Sequence, residues 1–306
     1  MNCENRPPLA RRDFLRTAAL GAAAAACAAE EPREAPAPAP ARPAFTLTGD
    51  QRARLRRALE PMHADYDPAA HMLLEPLRSP GYHTKLAGGK VHSTRQALGY
   101  AVALLDTGDE ALRQRACDIL GTVIALQDTD PKSKTYGIWS WFLEEPLARM
   151  SPPDWNWADF CGVQLLQVAL DHRGRLPPDL AVRLDASIRH AARSIERRNV
   201  TPSYTNIAIM GTYVTYVAAE LYGWADLKGY ASKRLRRFYD YTKEQGAFTE
   251  YNSPTYSIVA LEELGRMRLH VQDAAARPLI EELYRLVRDA LARHLHAPPR
   301  PWARPH

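Results

Sequence analysis

The stretch STRQALGYAVALLDTGDEALRQRACDILGTVIALQ, residues 93–127, decides the fold class of this chain. Apolar residues recur in its first half at intervals of three and four: Ala97, Leu98, Ala101, Leu104 and Leu105. This spacing is that of one face of an α-helix. Thr107-Gly108 then interrupts the pattern before it resumes. The sequence therefore predicts two helices, over 93–106 and 109–127, joined by a tight turn.

The same helical periodicity covers nearly all of the chain from Thr48 onward. It predicts further helices over residues 49–66, 155–172, 178–197, 205–222, 227–245, 253–271 and 274–296. Asp50 is expected to cap the first, and Ser253-Pro254 marks the start of another. No segment shows sustained strand alternation. We therefore predict an all-α fold, a complete or incomplete (α/α) toroid built from helix pairs, with an open solenoid as the alternative.

The residues before this domain resemble an export signal and a linker. Arg11-Arg12-Asp13-Phe14-Leu15 is a twin-arginine signature, followed by an alanine-rich apolar run. The predicted organisation is an export signal over 1–31, a Pro/Ala-rich linker over 32–47, the toroid domain over 48–296 and a Pro/Arg-rich tail over 297–306. We expect a periplasmic or extracellular protein. Cys27 is a candidate lipid-anchor cysteine, and simple cleavage near it is the alternative.

Composition limits the classes of partner. The chain is 46% hydrophobic and 25% charged, which is typical of a soluble globular protein with a sizeable core. A formal net charge of +5, without a basic stripe carrying interleaved aromatics, does not favour nucleic acid and is compatible with an acidic substrate. Cys117 and Cys161 lie in apolar helical patterns and are expected to be buried free thiols. No metal-ligand spacing is present in the sequence, and we expect no cofactor.

Four polar clusters lie at predicted helix starts or in loops. Their candidate functional residues are His92; Trp139, Trp141, Glu144, Glu145, Asn156 and Asp159; Asn206; and Glu250, Tyr251, Asn252 and Tyr256. Exposed indoles stack on sugar rings, and amides and carboxylates bind hydroxyl groups. Capping or packing explains each cluster alone, and Tyr213 and Tyr216 are expected to be core residues. The combination favours a carbohydrate site.

Two chemistries fit these residue types. Tyrosine with asparagine or histidine suits β-elimination on a uronic acid, in which the sugar carboxylate is neutralised, a base removes the adjacent proton and an acid protonates the leaving oxygen. Glu144, Glu145, Asp159 and Glu250 could instead supply the paired carboxylates of a glycoside hydrolase. A non-catalytic carbohydrate-binding toroid is a third alternative.

Four motifs together resemble exported α/α-toroid proteins related to polysaccharide lyases, closest to the alginate and glucuronan lyases of polysaccharide lyase family 38. The motifs are YGIWSWFLEEP at 136–146, PDWNWADFCG at 153–162, YTNI at 204–207 and EYNSPTY at 250–256. The resemblance implies cleavage of an acidic polysaccharide such as alginate or glucuronan without a metal or organic cofactor. Tyr256 or Tyr251 would then be the acid/base tyrosine, with Asn206 and His92 near the substrate carboxylate.

The resemblance also implies a cleft lined by Trp139, Trp141, Asn156 and Glu250. Asp159, Asn252, Glu144 and Glu145 complete the expected substrate contacts. One departure from the resemblance concerns the tail, because similar proteins continue beyond a His- and Pro-rich segment like this one. We therefore expect a shortened C-terminus, and with it a reduced activity if closing helices or a further domain are missing.

Overall fold

The helix pair predicted from residues 93–127 is present in the computed structural model of the chain. It consists of α2 (Thr94–Asp106) and α3 (Glu110–Ala125). The Ser93 hydroxyl accepts from the Gln96 amide at 3.4 Å at the start of α2. Gly108, with φ of +72°, makes the left-handed turn between the helices, a conformation that glycine adopts without steric cost.

The structure describes residues 46–78, 81–250 and 252–294, which all belong to one compact unit, Ala39–His306. Its other helices are α1 (Gly49–Ala64), α4 (Trp157–Asp171), α5 (Pro178–Arg198), α6 (Thr205–Tyr222), α7 (Ala225–Gln245), α8 (Pro254–His270) and α9 (Arg277–Arg293). The predicted, mostly helical fold class is confirmed. The predicted export signal, nearly all of the linker and the Pro/Arg-rich tail lie outside the described residues.

The helices pack as pairs in two series. In one series α2 contacts α4, α4 contacts α6 and α6 contacts α8, while each of the four also packs against the helix that follows it. In the other series α3 contacts α5, an ion pair from Arg193 to Asp226 joins α5 to α7, and α7 contacts α9. The first series carries more buried residues, because it is covered by the second. In α6 every residue from Thr205 to Ala219 is buried.

The core residues behave as the periodicity predicts. Tyr213 and Tyr216 are fully buried in α6, which confirms their assignment to the core. Cys117 and Cys161 are buried free thiols, as expected. Burial raises the pKa of both thiols, so both are protonated at neutral pH. Among the described residues, no helix combines the length and apolar character needed to cross a bilayer.

A small antiparallel sheet was not predicted from the sequence. Its strands are β1 (Tyr66–Asp67), β2 (Met72–Pro76) and β3 (Lys90–His92), in the order β1-β2-β3, with Leu74 opposite His92. Strands of two to five residues are too short to show alternation, so periodicity does not detect them. The sheet matters for function because it places His92 directly before α2.

The predicted cap of α1 was also wrong. Thr48, and not Asp50, caps the helix: its hydroxyl accepts from the Gln51 amide at 3.2 Å. The Gln51 side chain returns a bond to the Thr48 amide at 2.8 Å. This reciprocal capping box satisfies two amide groups at once, which an Asp50 cap would not do.

Candidate functional site

Hydrogen bonds link the start of α2 to that of α4, the start of α4 to that of α6, and the start of α6 to that of α8. The Trp157 indole N–H donates to Thr94 Oγ1 at 2.8 Å, which links the starts of α4 and α2. Asn156 Nδ2 donates to the Tyr204 hydroxyl at 3.1 Å, which links α4 to α6. The Asn206 amide donates to Glu250 Oε2 at 2.8 Å, which links α6 to the segment before α8. We call these four adjoining helix starts the helix-start row.

The helix-start row brings together residues from all four polar clusters of the sequence. Because helix N-termini carry partial positive charge, a set of them at one end of the array favours anions there. Ser93 and Ser253 cap α2 and α8. In α6 the cap residue Tyr204 makes no side-chain cap bond. The Glu250 carboxylate instead accepts from the Asn206 amide in the first turn of the helix.

A groove of about 710 Å³ lies at the α2–α4 end of the row. Its lining includes Trp141, Phe142, Trp157, Arg78, Arg95, Gln96 and Glu75. The Trp141 and Trp157 rings stack at 5.1 Å between centroids. The Trp141 indole N–H donates to Asp154 Oδ2 at 3.1 Å, which fixes the plane of the ring. A fixed indole beside arginine and amide side chains can hold a sugar ring and its polar substituents.

Charged groups surround this groove unevenly. The Arg95 guanidinium lies 3.9 Å from the centre of the Phe160 ring, a cation–π contact that leaves the guanidinium in the groove lining. Burial raises the pKa of Glu75, and its Oε2 is buried without a hydrogen-bond partner among the described residues. Two guanidinium groups and one carboxyl group line the groove, so positive charge exceeds negative charge there. Arg78 and Arg95 therefore set the sign of the groove.

Tyr204 occupies the middle of the helix-start row. Besides the bond from Asn156, its ring lies 6.0 Å from the Arg198 guanidinium, and Arg198 also donates to Asn156 Oδ1. Burial raises the pKa of Tyr204, and the charges of Asp154 and Tyr82 add to the effect. The bond from Asn156 and the charge of Arg198 act in the opposite direction. Its phenol is therefore protonated at neutral pH and can donate a proton.

His83 lies beside Trp141 with one nitrogen engaged. Its Nδ1 is 2.7 Å from the Pro152 carbonyl oxygen, so Nδ1 carries the proton in the neutral ring. Its Nε2 lies 4.0 Å from Asp154 Oδ2. The centre of the imidazole ring lies 5.2 Å from that of the Trp141 ring, in an edge-on arrangement, and 4.2 Å from that of the exposed Tyr82 ring. In this tautomer Nε2 is the nitrogen that can accept a proton, which makes the buried His83 side chain a candidate base.

His92 is held between two carboxylates. Its Nδ1 lies 2.5 Å from Glu144 Oε1, its Nε2 lies 3.3 Å from Asp67 Oδ2, and its backbone amide donates to Glu144 Oε2 at 3.0 Å. Both ring nitrogens are therefore occupied within the protein. This arrangement fits a residue that orders the groove wall better than one that exchanges a proton with substrate.

Three predicted substrate contacts are contradicted by their burial. Trp139 is 0% exposed and its indole N–H donates to the Val123 carbonyl at 2.8 Å, so neither ring face is open to a sugar. Glu145 is 3% exposed and accepts from the Lys85 amide at 2.8 Å. Asp159 is 2% exposed inside α4. These side chains pack the interior beneath the site.

The remaining predicted residues divide between bonded and open positions. Asn156 and Glu144 are engaged with protein partners, and Asn206 Oδ1 accepts from the Ile207 amide at 2.8 Å. That bond leaves the Asn206 Nδ2 hydrogens as the donors available to a ligand. Trp141 lines the groove, and its contact with substrate stays a prediction.

The residues around the start of α8 are more open. Burial raises the pKa of Glu250, and the bond from the Asn206 amide opposes this shift. Tyr256 is 43% exposed one turn into α8, and Asn252 is exposed before it. Tyr251 lies outside the described residues, so its predicted acid/base role stays a prediction, as does that of Tyr256.

Sequence reasoning missed Tyr204, Arg198 and His83. Tyr204 did carry a signal, because it immediately precedes the helix predicted over 205–222 and opens the YTNI motif. Arg198 ends the preceding helix, where arginine is a common residue. His83 lies in a segment without periodicity, so only the fold brings it to Trp141.

We expect Glu263→Gln to stabilise the protein at pH 8. Glu263 is 5% exposed in α8, its Oε2 has no partner among the described residues, and burial raises its pKa to about 7. A carboxyl group whose pKa is raised on folding costs stability as pH rises from its unfolded pKa to its folded pKa, and the full cost is present above about 7. The expected gain is on the order of 2 kcal/mol at pH 8 and near zero at pH 4. Urea unfolding at both pH values measures it, and a destabilised variant at pH 8 would contradict the expectation.

Comparison with known proteins gives one family and no described activity. The model of a family described as "Domain of unknown function (DUF8769)" matches residues 54–305. No curated protein and no solved structure matches the chain.

Proposed function

The chain belongs to the DUF8769 family, whose description carries no activity, and we propose from the site itself that it is a polysaccharide lyase acting on a uronic-acid-containing polysaccharide. The helix-start row carries this proposal. It places a protonated phenol, a carboxamide and positive helix ends beside an aromatic groove with two arginines. An acidic sugar chain matches that combination of flat apolar faces and positive charge.

We further propose that the helix pairs curve into an (α/α) toroid, complete or incomplete. The order of contacts α2–α4–α6–α8 supports this, since each step repeats the same relation between neighbouring helix pairs. In a toroid the starts of the inner helices face one cleft. The twin-arginine signature adds that the enzyme acts outside the cytoplasm, on polymer that the cell has not taken up.

The proposed reaction is a β-elimination that needs no group beyond the side chains. Asn206 Nδ2 and the helix ends bind the sugar carboxylate and draw negative charge from the adjacent carbon. His83 Nε2 removes the proton from that carbon. A double bond then forms to the neighbouring carbon as its bond to the glycosidic oxygen breaks. The Tyr204 phenol donates its proton to that oxygen. By exchange with solvent, His83 then releases the proton that it removed and Tyr204 regains the one that it donated.

Hydrolysis by paired carboxylates has less support. Such a mechanism needs two carboxyl groups facing one cleft with the glycosidic bond between them. Of the four carboxylates expected from the sequence, Glu145 and Asp159 are buried and Glu144 is bound to His92. Glu250 accepts the Asn206 amide.

The test is incubation of the exported chain, without its signal, with polyglucuronate and with alginate. A lyase releases products with an unsaturated uronate, which absorb in the near ultraviolet, and mass spectrometry shows fragments that sum to the parent without added water. Fragments that each carry an added water and lack the absorbance would establish hydrolysis instead. Binding without any fragment would favour a carbohydrate-binding protein.

Replacing Trp141 with alanine should weaken polyuronate binding about fivefold to thirtyfold, since stacking on an aromatic ring contributes roughly 1–2 kcal/mol. The variant also loses the bond to Asp154, so thermal unfolding must be followed together with the affinity. Tyr284→Ala, on α9 and away from the groove, is the matched aromatic control. Unchanged affinity in Trp141→Ala would place the sugar elsewhere.

A further inference from the structure

A second, smaller pocket lies near Asn156, whose side-chain oxygen accepts a hydrogen bond from Arg198 of the pocket lining. It has a volume of about 210 Å³ and is lined by Lys134, Tyr136, Trp155, Ser194, Arg197 and Arg198. We call it the basic pocket. Its walls come from the loop before α4 and from the end of α5.

The three cations of the basic pocket have no carboxylate partner. In the part of the chain that the structure describes, Lys134, Arg197 and Arg198 form no ion pair, whereas most other arginines of α5 do. Arg197 donates to the carbonyl groups of Ser133 and Pro131, and Arg198 donates to the amide oxygen of Asn156. The Arg198 charge also acts on the buried Asp159 carboxylate, whose pKa it lowers. Lys134 and Arg197 have only neutral acceptors or no described hydrogen-bond partner, so their positive charge attracts an anion.

The pocket is held in shape before any ligand arrives. The Asp128 carboxylate accepts from Ser133 Oγ at 2.5 Å and from Thr135 Oγ1 at 2.6 Å, on either side of Lys134. The Trp155 indole N–H donates to the Lys134 carbonyl at 3.1 Å. A preorganised site avoids the entropy cost of ordering a loop on binding.

Aromatic rings complete the site. The Arg197 guanidinium lies 4.7 Å from the Tyr136 ring centre, and the Tyr136 hydroxyl lies 2.9 Å from His190 Nδ1. Trp155 adds an indole next to Asn156 in the chain. Two aromatic rings and three cations without an ion pair are complementary to an acidic sugar. The sugar ring can pack on the indole while its anionic group contacts the cations.

We propose that the basic pocket is a second subsite of the same cleft, which binds the carboxylate or sulfate of another sugar residue of the polymer. This rests on the proposed function, because Asn156 and Arg198 join the pocket to Tyr204. Both halves of the long loop over 128–154 then bind substrate: the first half contributes to the basic pocket and the second half to the groove. The enzyme prefers oligomers long enough to reach both.

Calorimetric titration with oligoglucuronates of defined length tests the subsite. Lys134→Glu is the informative variant, because the Lys134 side chain is exposed and makes no described hydrogen bond. We expect this substitution to lower the affinity for a long oligomer about tenfold or more and to reduce the salt dependence of binding. The affinity for a disaccharide should change little. Lys233→Glu, an exposed charge reversal on α7, is the matched control.

Arg197→Gln provides a second variant, with thermal unfolding measured because Arg197 also holds the loop. Equal binding of the long oligomer by the parent chain, Lys134→Glu and Arg197→Gln would overturn the subsite. If Lys134→Glu weakens binding but the parent chain releases no unsaturated product, the subsite stands and the lyase proposal falls. If product forms and neither variant affects binding or the preference for length, the lyase stands and the subsite falls.

Discussion

Tyr204→Phe is expected to lower the turnover of polyglucuronate by about a hundredfold to ten-thousandfold, which is the usual contribution of a positioned acid or base. The substitution removes the hydroxyl that accepts from Asn156 and that would protonate the leaving oxygen, while the ring keeps its place at the start of α6. Initial rates of unsaturated product formation measure the effect. Substrate affinity should change by much less, because the phenol acts mainly in the transition state.

Tyr256→Phe is the matched comparison for Tyr204→Phe. Both tyrosines lie near a helix start of the row, but Tyr256 is exposed and Tyr204 is bonded to Asn156. We expect the larger loss in Tyr204→Phe. A large loss in Tyr256→Phe with little effect in Tyr204→Phe would return the acid/base role to Tyr256, one of the two tyrosines that the sequence motif suggests.

The second large effect concerns stability. Replacing Arg234 with alanine should destabilise the protein by about 3–5 kcal/mol, the usual cost of removing one member of a buried charged network. Arg234 is 3% exposed in α7 and donates to Thr212 Oγ1 at 3.1 Å and to the Tyr230 hydroxyl at 3.0 Å. It also bonds the Ile207 carbonyl at 3.3 Å, near the start of α6. Urea unfolding at pH 7 measures the loss.

The pKa of Asp159 provides the physical reason for so large a cost. Burial raises this pKa to about 7, and the charge of Arg234 is the strongest opposing influence. Without Arg234 the pKa of Asp159 should rise further. Asp159→Asn combined with Arg234→Ala should therefore lose less than the sum of the two single changes.

Arg236→Ala serves as the control in the same helix. The Arg236 side chain is 57% exposed and its ion pair with Asp240 spans 3.8 Å, so its loss should cost below about 1 kcal/mol. Equal effects of the two arginine substitutions would show that the buried network contributes nothing particular to stability.

The network around Arg234 also connects stability to the site. Gly211 lies where an added Cβ would come within 2.5 Å of Asp159 Oδ1 and 2.7 Å of Arg234 Nη2, so only glycine fits between them. This close packing of α4, α6 and α7 fixes the start of α6. The positions of Tyr204 and Asn206 depend on it.

The sequence by itself determined the helices, since apolar spacing is a local property that each segment carries alone. It placed both boundaries of each of the nine α-helices in the described residues within three residues, and it located polar clusters before α2, α4, α6 and α8. Ser93 marks the start of α2, and Ser253 with Pro254 marks the start of α8, because unbonded amides at a helix start require specific partners. The small sheet was not predicted because its strands are too short to show a periodic pattern of apolar residues.

Only the tertiary structure decided which residues of each cluster reach a common cleft. Trp139 and Trp141 are two positions apart in the sequence, yet one is fully buried and the other lines the groove. His83 and Arg198 reach Trp141 and Asn156 from distant segments. Which face of a loop turns inward depends on the surfaces that pack against it, and those surfaces come from helices far away in the chain.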